Sequence, residues 1–148
     1  MAQAPVAAGR RGYRREPPVR PEDRRAAEHD CARLIALYAN LNDEARWDEV
    51  AALYAEDGVM YRPTAPDVGV EGREAILAAF KARPPRTTRH VCSNVVIDVE
   101  GPATARGTSA MLLFTSEGAP LVGSFHDRFC LTPDGWRFAE RRGSLIFK

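Results

Sequence analysis

The chain has 148 residues, of which 45% are hydrophobic and 28% charged, so a single globular domain with its own core is expected. Its formal net charge of +1 provides no general attraction to nucleic acid or to an anionic membrane surface. No hydrophobic run approaches the roughly 18 residues that a membrane-spanning helix needs, so neither nucleic acid nor membrane is predicted as a partner.

The N-terminal segment differs in composition from the rest. Residues 1–20 contain five arginines and three prolines against one glutamate, and almost no large aliphatic side chains. Such a segment cannot bury enough apolar surface to offset the entropy lost on ordering. We therefore predict a disordered basic tail over residues 1–21 and one domain over residues 22–148.

Two helices are predicted directly after the tail. The first begins near Pro21 and carries apolar side chains at spacings of three and four residues, the pattern of one buried helical face. Polar residues that include Asp43 then interrupt the pattern. The second helix is shorter, buries Trp47 and Tyr54, and is predicted to end at Gly58. The apolar face of the first helix consists of Ala27, Cys31, Leu34, Tyr38 and Leu41.

The remaining sequence predicts one short strand, a loop, a third helix and four long strands. Val59 to Arg62 is the short strand, and residues 63–72, with two prolines and two glycines, are predicted to form a loop. The third helix ends before Pro84. Helices gathered upstream of an antiparallel meander indicate an α+β domain, whose curved sheet leaves a cavity above the helices. The four long strands are residues 88–99, 104–115, 120–132 and 135–147.

The alternation of side chains along a strand predicts which residues share a face. In the first long strand, His90 and Asn94 fall on the same face, which we interpret as the cavity side. In the third, Phe125 and Asp127 share a face, and His126 points the other way. In the fourth, Arg141 falls on the face opposite to Trp136 and Phe138. Asp127 is a candidate partner for Arg141 or Arg142.

Cysteine and histidine spacing gives no sign of a metal site. Cys31, Cys92 and Cys130 form no C-x-x-C pair, which favours a reducing cytoplasm in which the thiols act as small core residues. The three histidines are far apart and match no metal-binding spacing, so no metal and no cofactor are predicted.

Several short motifs follow one another along the chain, and their order and spacing are more specific than any single motif. Tyr38 is followed five residues later by Asp43, four further on by Trp47, and then by Tyr61. Next come Thr-Arg-His-Val-Cys-Ser-Asn at residues 88–94 and Gly-Trp-Arg-Phe-Ala-Glu-Arg-Arg at 135–142. Over residues 24–147 the chain resembles the SnoaL-like branch of the nuclear transport factor 2-like superfamily. It looks closest to scytalone dehydratase, bile-acid dehydratase and the small subunits of ring-hydroxylating dioxygenases.

The resemblance implies a conical fold, in which a curved antiparallel sheet wraps over N-terminal helices around an internal pocket, and a homodimer formed through the sheet. The aspartate–histidine pair of the dehydratases falls on Asp43 and His90, and their pocket tyrosines fall on Tyr38 and Tyr61. One feature departs from the pattern. The dehydratases carry a further histidine or aspartate on the next strand, whereas residues 109–114 include no ionisable side chain.

Two functions from different classes follow. The first is a cofactor-independent dehydratase, isomerase or cyclase acting on a hydrophobic, oxygenated small molecule. His90 would be its general acid–base and Asp43 would orient the imidazole. The second is a non-catalytic ligand-binding protein or an accessory small subunit of an oxygenase, which the missing ionisable group favours. Asp43 could instead cap the second helix, and His90 could be a hydrogen-bonded structural histidine. The predicted substrate-binding residues are Tyr38, Tyr61, Asn94, Trp47 and Phe125.

Overall fold

The structure, a computed structural model, describes residues 18–146. The predicted α+β class and the predicted four-stranded meander are confirmed. Of the tail predicted over residues 1–21, residues 1–17 lie outside the described residues. The helices are α1 (Pro21–Asp43), α2 (Trp47–Ala52) and α3 (Arg73–Lys81). The strands are β1 (Tyr54–Arg62), β2 (Ala65–Glu71), β3 (Thr88–Gly101), β4 (Thr104–Thr115), β5 (Leu121–Thr132) and β6 (Gly135–Ser144).

All six strands form one curved, open sheet in the order β2-β1-β6-β5-β4-β3. Neighbouring strands are antiparallel, except that β1 runs parallel to β6. The helix α1 packs across the inner face against β3 and β6, and α3 packs against α2 and β1. Between residues 18 and 146, no helix is both long and apolar enough to cross a bilayer. Fully buried side chains at the centre of the core are Ile35, Tyr54, Phe80, Phe129 and Phe138.

The end of α1 fixes the position of Asp43, its last residue. Ala45 adopts a left-handed conformation with φ of 53°, which terminates the helix. The N–H of Arg46 then donates to the carbonyl oxygen of Leu41 at 3.0 Å, and the N–H of Ala45 donates to that of Asn42 at 3.1 Å. These two bonds satisfy the last helical carbonyls and direct the chain into α2.

Two predictions around β1 were wrong. The second helix ends at Ala52 instead of Gly58, because Tyr54 already belongs to β1. Gly58 lies inside that strand, where an added Cβ would come within 3.0 Å of the carbonyl oxygen of Phe138 on β6. The segment predicted as a loop contains β2, whose position at the sheet edge tolerates Pro66 because an edge strand leaves some N–H positions unused.

A bulge in β3 changes which side chains face inward. Ser93 pairs with Ala110, but the next pairing is Val96 with Thr108, so β3 contains one extra residue at this point. Asn94 takes a left-handed conformation there, with φ of 52°. The bulge reverses the alternation, so Val99 is buried while Val96 is exposed.

A second bulge lies in β6. Arg128 of β5 pairs with Glu140, and Phe129 pairs with Phe138, which leaves Ala139 as the extra residue. The reversal places Arg141 on the same buried face as Phe138, contrary to the simple alternation predicted for this strand.

Candidate active site

Asp43 and His90, 47 residues apart in sequence, meet where the end of α1 crosses the start of β3. Oδ1 of Asp43 lies 2.6 Å from Nδ1 of His90. The same carboxyl group accepts from the backbone N–H of His90 at 2.8 Å and from the hydroxyl of Thr88 at 2.9 Å. Only 3% of the Asp43 side chain and 9% of the His90 side chain are exposed. The carboxyl group therefore does not cap α2, whose N-cap is Arg46 and makes no side-chain capping bond.

The hydrogen bonds of Asp43 determine the tautomer of His90. A carboxylate accepts hydrogen bonds, so the proton of a neutral imidazole belongs on Nδ1 and the lone pair on Nε2. Burial lowers the pKa of His90 below its ordinary value of 6.5, and this outweighs the hydrogen bond and charge of Asp43, which act to raise it. The positive charge of Arg86 also lowers this pKa. The neutral imidazole, a competent base, is thus the form favoured near neutral pH.

We expect the imidazole of His90 to titrate with a midpoint below 6.5. Because the folded protein binds this proton less readily than the unfolded chain, the group contributes stability above about pH 6.5 that is lost as pH falls through the folded pKa. NMR titration of the imidazole carbon-bound protons measures the midpoint, and the spectrum of the His90→Asn variant identifies the resonance. A midpoint at or above 6.5 would show that the attraction of Asp43 outweighs burial.

His90 lines a cavity of about 200 Å³ between the helices and the sheet. Tyr38 and Phe125, both predicted to contact substrate, line the same cavity. Their rings pack edge to face with centroids 6.0 Å apart, so the inner wall of the cavity is largely apolar. The lining residues are Tyr38, Asn42, Arg62, Pro63, Thr64, Arg83, Pro84, Arg86, His90, Met111, Leu113, Leu121, Phe125 and Leu145.

The structure places three predicted substrate-binding residues outside this cavity. Asn94 is exposed because the β3 bulge turns it away from the helices. Tyr61 lies on the other face of β1 from the buried Met60, and its ring stacks under the guanidinium of Arg142 at 3.6 Å. Trp47 stacks on the ring of Phe80 at 5.5 Å and closes the end of the core instead of the cavity.

Four cavity residues with a charged or amide side chain were not identified from the sequence. Asn42, in the last turn of α1, donates to the carbonyl oxygen of Tyr38 at 3.1 Å and accepts from Nη1 of Arg83 at 3.2 Å. Arg62 donates to the carbonyl oxygen of Ala79 at 2.8 Å. The fourth is Arg86 in the α3–β3 connection. The run of arginines and prolines immediately before Thr88 was the available sequence signal for two of the three arginines.

Behind the inner wall, Arg141 and Asp127 form a salt bridge, as predicted for Asp127. Nη1 of Arg141 lies 2.6 Å from Oδ2 of Asp127, and neither side chain is exposed to solvent. The guanidinium carbon lies 3.7 Å from the ring centroid of Phe125 and 4.3 Å from that of Tyr38. Burial raises the pKa of Asp127 to about 6, although the charge of Arg141 acts to lower it. Arg141 thus supports both aromatic side chains of the cavity.

Metal-binding side chains do not cluster in the described part of the chain, where no group of three histidine, cysteine, aspartate or glutamate residues could hold an ion. Among the lining residues that the structure describes, His90 is the one that ionises near neutral pH.

Comparison with known proteins gives a family and a fold. Residues 23–142 match the family model of the SnoaL-like domain. A proposed scytalone dehydratase from Novosphingobium aromaticivorans is 23% identical, with a TM-score of 0.72, covering 82% of this chain and 85% of that chain. A protein of the nuclear transport factor 2-like group with a cystatin-like fold, also from Novosphingobium aromaticivorans, is 26% identical over 84% and 82%, with a TM-score of 0.71.

A proposed dehydratase of the same group from Streptomyces avermitilis is 14% identical, with a TM-score of 0.72, covering 84% of this chain and 99% of that chain. No curated protein matches the chain significantly. At these low identities, similarity to solved structures establishes the fold. The chemistry has to be argued from the residues of the cavity.

Proposed function

The chain belongs to the SnoaL-like domain family, and from this premise we propose that it is a cofactor-independent acid–base enzyme, a dehydratase or isomerase. Its substrate would be a hydrophobic, oxygenated small molecule. The observation that carries the proposal is the buried contact of Asp43 with Nδ1 of His90, which leaves Nε2 as the free nitrogen of a ring that lines a cavity. Two relatives of the same fold are themselves proposed dehydratases, which supports the reaction class.

In the proposed reaction, Nε2 of His90 removes a proton from the carbon next to a substrate carbonyl. Asp43 keeps the ring oriented and stabilises the imidazolium that forms. Tyr38, which lines the cavity, would donate a hydrogen bond from its hydroxyl to the carbonyl oxygen as negative charge develops there. In dehydration, the carbon–oxygen bond to a β-hydroxyl then breaks, and His90 returns its proton to that group, which leaves as water. In isomerisation, the proton returns to a different carbon.

The proposal is tested with a panel of bicyclic and aromatic β-hydroxy ketones. Dehydration converts each into a conjugated enone, whose ultraviolet absorbance is followed directly. Exchange of the proton next to the carbonyl for deuterium, followed by NMR in heavy water, tests the first step alone. If neither reaction is faster with the wild-type protein than with the His90→Asn variant on any ketone, the enzymatic proposal is wrong.

A second candidate function is a ligand-binding protein or an accessory subunit of an oxygenase. The observation that favours it is the β4 wall, where Met111 and Leu113 face the cavity opposite Cys92 and His90. These apolar side chains supply no second acid or base. This candidate predicts ligand binding without turnover, so the ketone panel separates it from the enzyme.

We also propose that two chains associate through the outer face of the sheet. Val91, Leu112 and Val122 lie side by side across β3, β4 and β5, and all three are exposed. Phe114, two residues along β4, extends this outer apolar patch. An exposed row of apolar side chains on a sheet face is typical of a protein interface, and a second copy presents an identical surface.

Replacing Leu112 with glutamate is expected to convert a dimer into a monomer, because association would bury the new charge against Val91 and Val122. Light scattering coupled to size-exclusion chromatography measures the mass. Thr108→Glu, also at an exposed position on the same face of β4 but outside the apolar patch, is the matched control and should stay dimeric. A monomeric wild-type protein, or a Leu112→Glu variant that remains dimeric, would contradict the proposed interface.

A further inference from the structure

The cavity has an uneven distribution of charge. Arg62, Arg83 and Arg86 line it, and the lining includes no aspartate or glutamate. Arg86 is exposed and the other two are half-buried. Tyr38 and Phe125 are buried and form the apolar inner wall together with Met111 and Leu113.

None of the three cavity arginines has a carboxylate partner. Among residues 18–146, Arg46, Arg106 and Arg141 each form a salt bridge with a carboxylate, whereas Arg62, Arg83 and Arg86 form none, as is also true of several arginines outside the cavity. Converging, unpaired positive charges repel one another, and such an arrangement favours a ligand that neutralises them.

The contacts of Arg62 and Arg83 leave donors free. Arg62 bonds through Nη2 to the carbonyl oxygen of Ala79, and its Nε is buried without a hydrogen bond among the described residues. Arg83 is held by Asn42 at 3.2 Å and by the ring of Phe80, 4.2 Å from the guanidinium carbon. Burial lowers the pKa of Arg83, and the charges of Arg62 and Arg86 act in the same direction, as expected for guanidinium groups close together.

We propose that the ligand of this cavity is an apolar small molecule bearing an oxyanion, such as a carboxylate, which Arg62, Arg83 and Arg86 bind while the apolar body lies against Tyr38, Met111 and Phe125. The inference rests on the proposed function, which identifies this cavity as the substrate site. A guanidinium group donates two parallel hydrogen bonds to a carboxylate, which suits arginine to this role better than a neutral donor. Asn42 is a positioning residue, because it holds Arg83 and does not itself carry charge.

The test compares three probes by isothermal titration calorimetry. Cinnamate has the apolar body and the charge, cinnamamide has nearly the same shape without the charge, and inorganic phosphate has the charge without the body. Cinnamate is expected to bind at least about tenfold more tightly than either of the others, because a charge-assisted hydrogen bond contributes more than a neutral one. Equal affinity for cinnamate and cinnamamide, or phosphate binding as tight as cinnamate, would overturn the proposal.

Variants locate the effect in the cavity. Arg83→Gln and Arg62→Gln are each expected to weaken cinnamate binding by roughly 10–100-fold and to change cinnamamide binding by less than about threefold. Arg86→Gln should weaken cinnamate binding by a smaller factor, because Arg86 is exposed. Its exposed position tolerates substitution, so this variant still tests the proposal if Arg62→Gln or Arg83→Gln fails to fold. Arg128→Gln, an exposed arginine of β5, is the matched control. An equal loss with Arg128→Gln would indicate a nonspecific charge effect and contradict the assignment.

The outcome separates this inference from the proposed function. His90→Asn should leave the preference for cinnamate over cinnamamide intact, since the imidazole does not supply the positive charge. Turnover of neutral ketones without any preference for anionic ligands would support the enzyme and overturn the oxyanion site. A strong preference for cinnamate without turnover of any ketone, including β-hydroxy ketones that carry a carboxylate, would support the oxyanion site and contradict the enzyme.

Discussion

Replacing Arg141 with methionine is expected to lower the free energy of unfolding by about 3–5 kcal/mol near pH 8. Methionine fills a similar volume but leaves the carboxyl group of Asp127 buried without its counter-charge. Burial already raises the pKa of Asp127 to about 6 in the presence of Arg141, and the loss of the guanidinium removes the group that acts to lower it. Chemical denaturation followed by circular dichroism measures the change.

The pH dependence distinguishes this cause from a simple packing defect. A raised pKa means that the folded protein keeps a proton which the unfolded chain has released, so stability falls as pH rises through that range. The deficit of Arg141→Met should therefore be smaller near pH 5, where Asp127 takes up a proton, than near pH 8. Adding Asp127→Asn to Arg141→Met should recover much of the loss, and the exposed Arg128→Met should cost less than about 0.5 kcal/mol. A deficit independent of pH would show that packing alone is responsible.

Replacing His90 with asparagine is expected to lower kcat/KM by about 10²–10⁴-fold on any ketone that the wild-type protein converts. Asparagine places an amide nitrogen near the position of Nδ1, so the hydrogen bond to Asp43 is kept while the base at Nε2 is removed. The free energy of unfolding should fall by no more than about 1–2 kcal/mol. The exposed His126→Asn variant is the matched control and should keep full activity.

Asp43→Asn provides the complementary result. The aspartate accepts from Thr88, from the backbone N–H of His90 and from Nδ1, so an amide there replaces one accepting oxygen with an NH2 group that faces donors. Both turnover and stability should fall, the latter by about 1–3 kcal/mol. If His90→Asn keeps full turnover while Asp43→Asn loses stability, the pair serves the fold and not catalysis.

The sequence predicts the architecture well because its signals are local. The helical stripe of α1 and the turn residues between the long strands are sufficient to define α1 and β3 to β6. The segment that contains β2 was missed because its prolines and glycines are tolerated only by virtue of its place at the sheet edge, which the neighbouring β1 determines.

The site was predicted in part, and the failures share one physical cause. The contact of Asp43 with His90 was expected from the motif order, and Phe125 from simple alternation. Asn94 and Arg141 were assigned to the wrong faces because an extra residue in β3 and another in β6 reverse the alternation of side chains. No residue type in these strands predicts the position of such a bulge. The cavity arginines come from separate segments that only the tertiary structure brings together.

The two bulges also divide β3 and β6 into stretches that can change separately. In β3, the residues before Asn94 supply the cavity with His90, and those after it supply the core with Val99. Loss of a single residue at either bulge would exchange every inward and outward side chain beyond it in one step. Length changes at these two positions are therefore far less acceptable than substitutions, and homologous chains that differ in length are expected to differ in the turns instead.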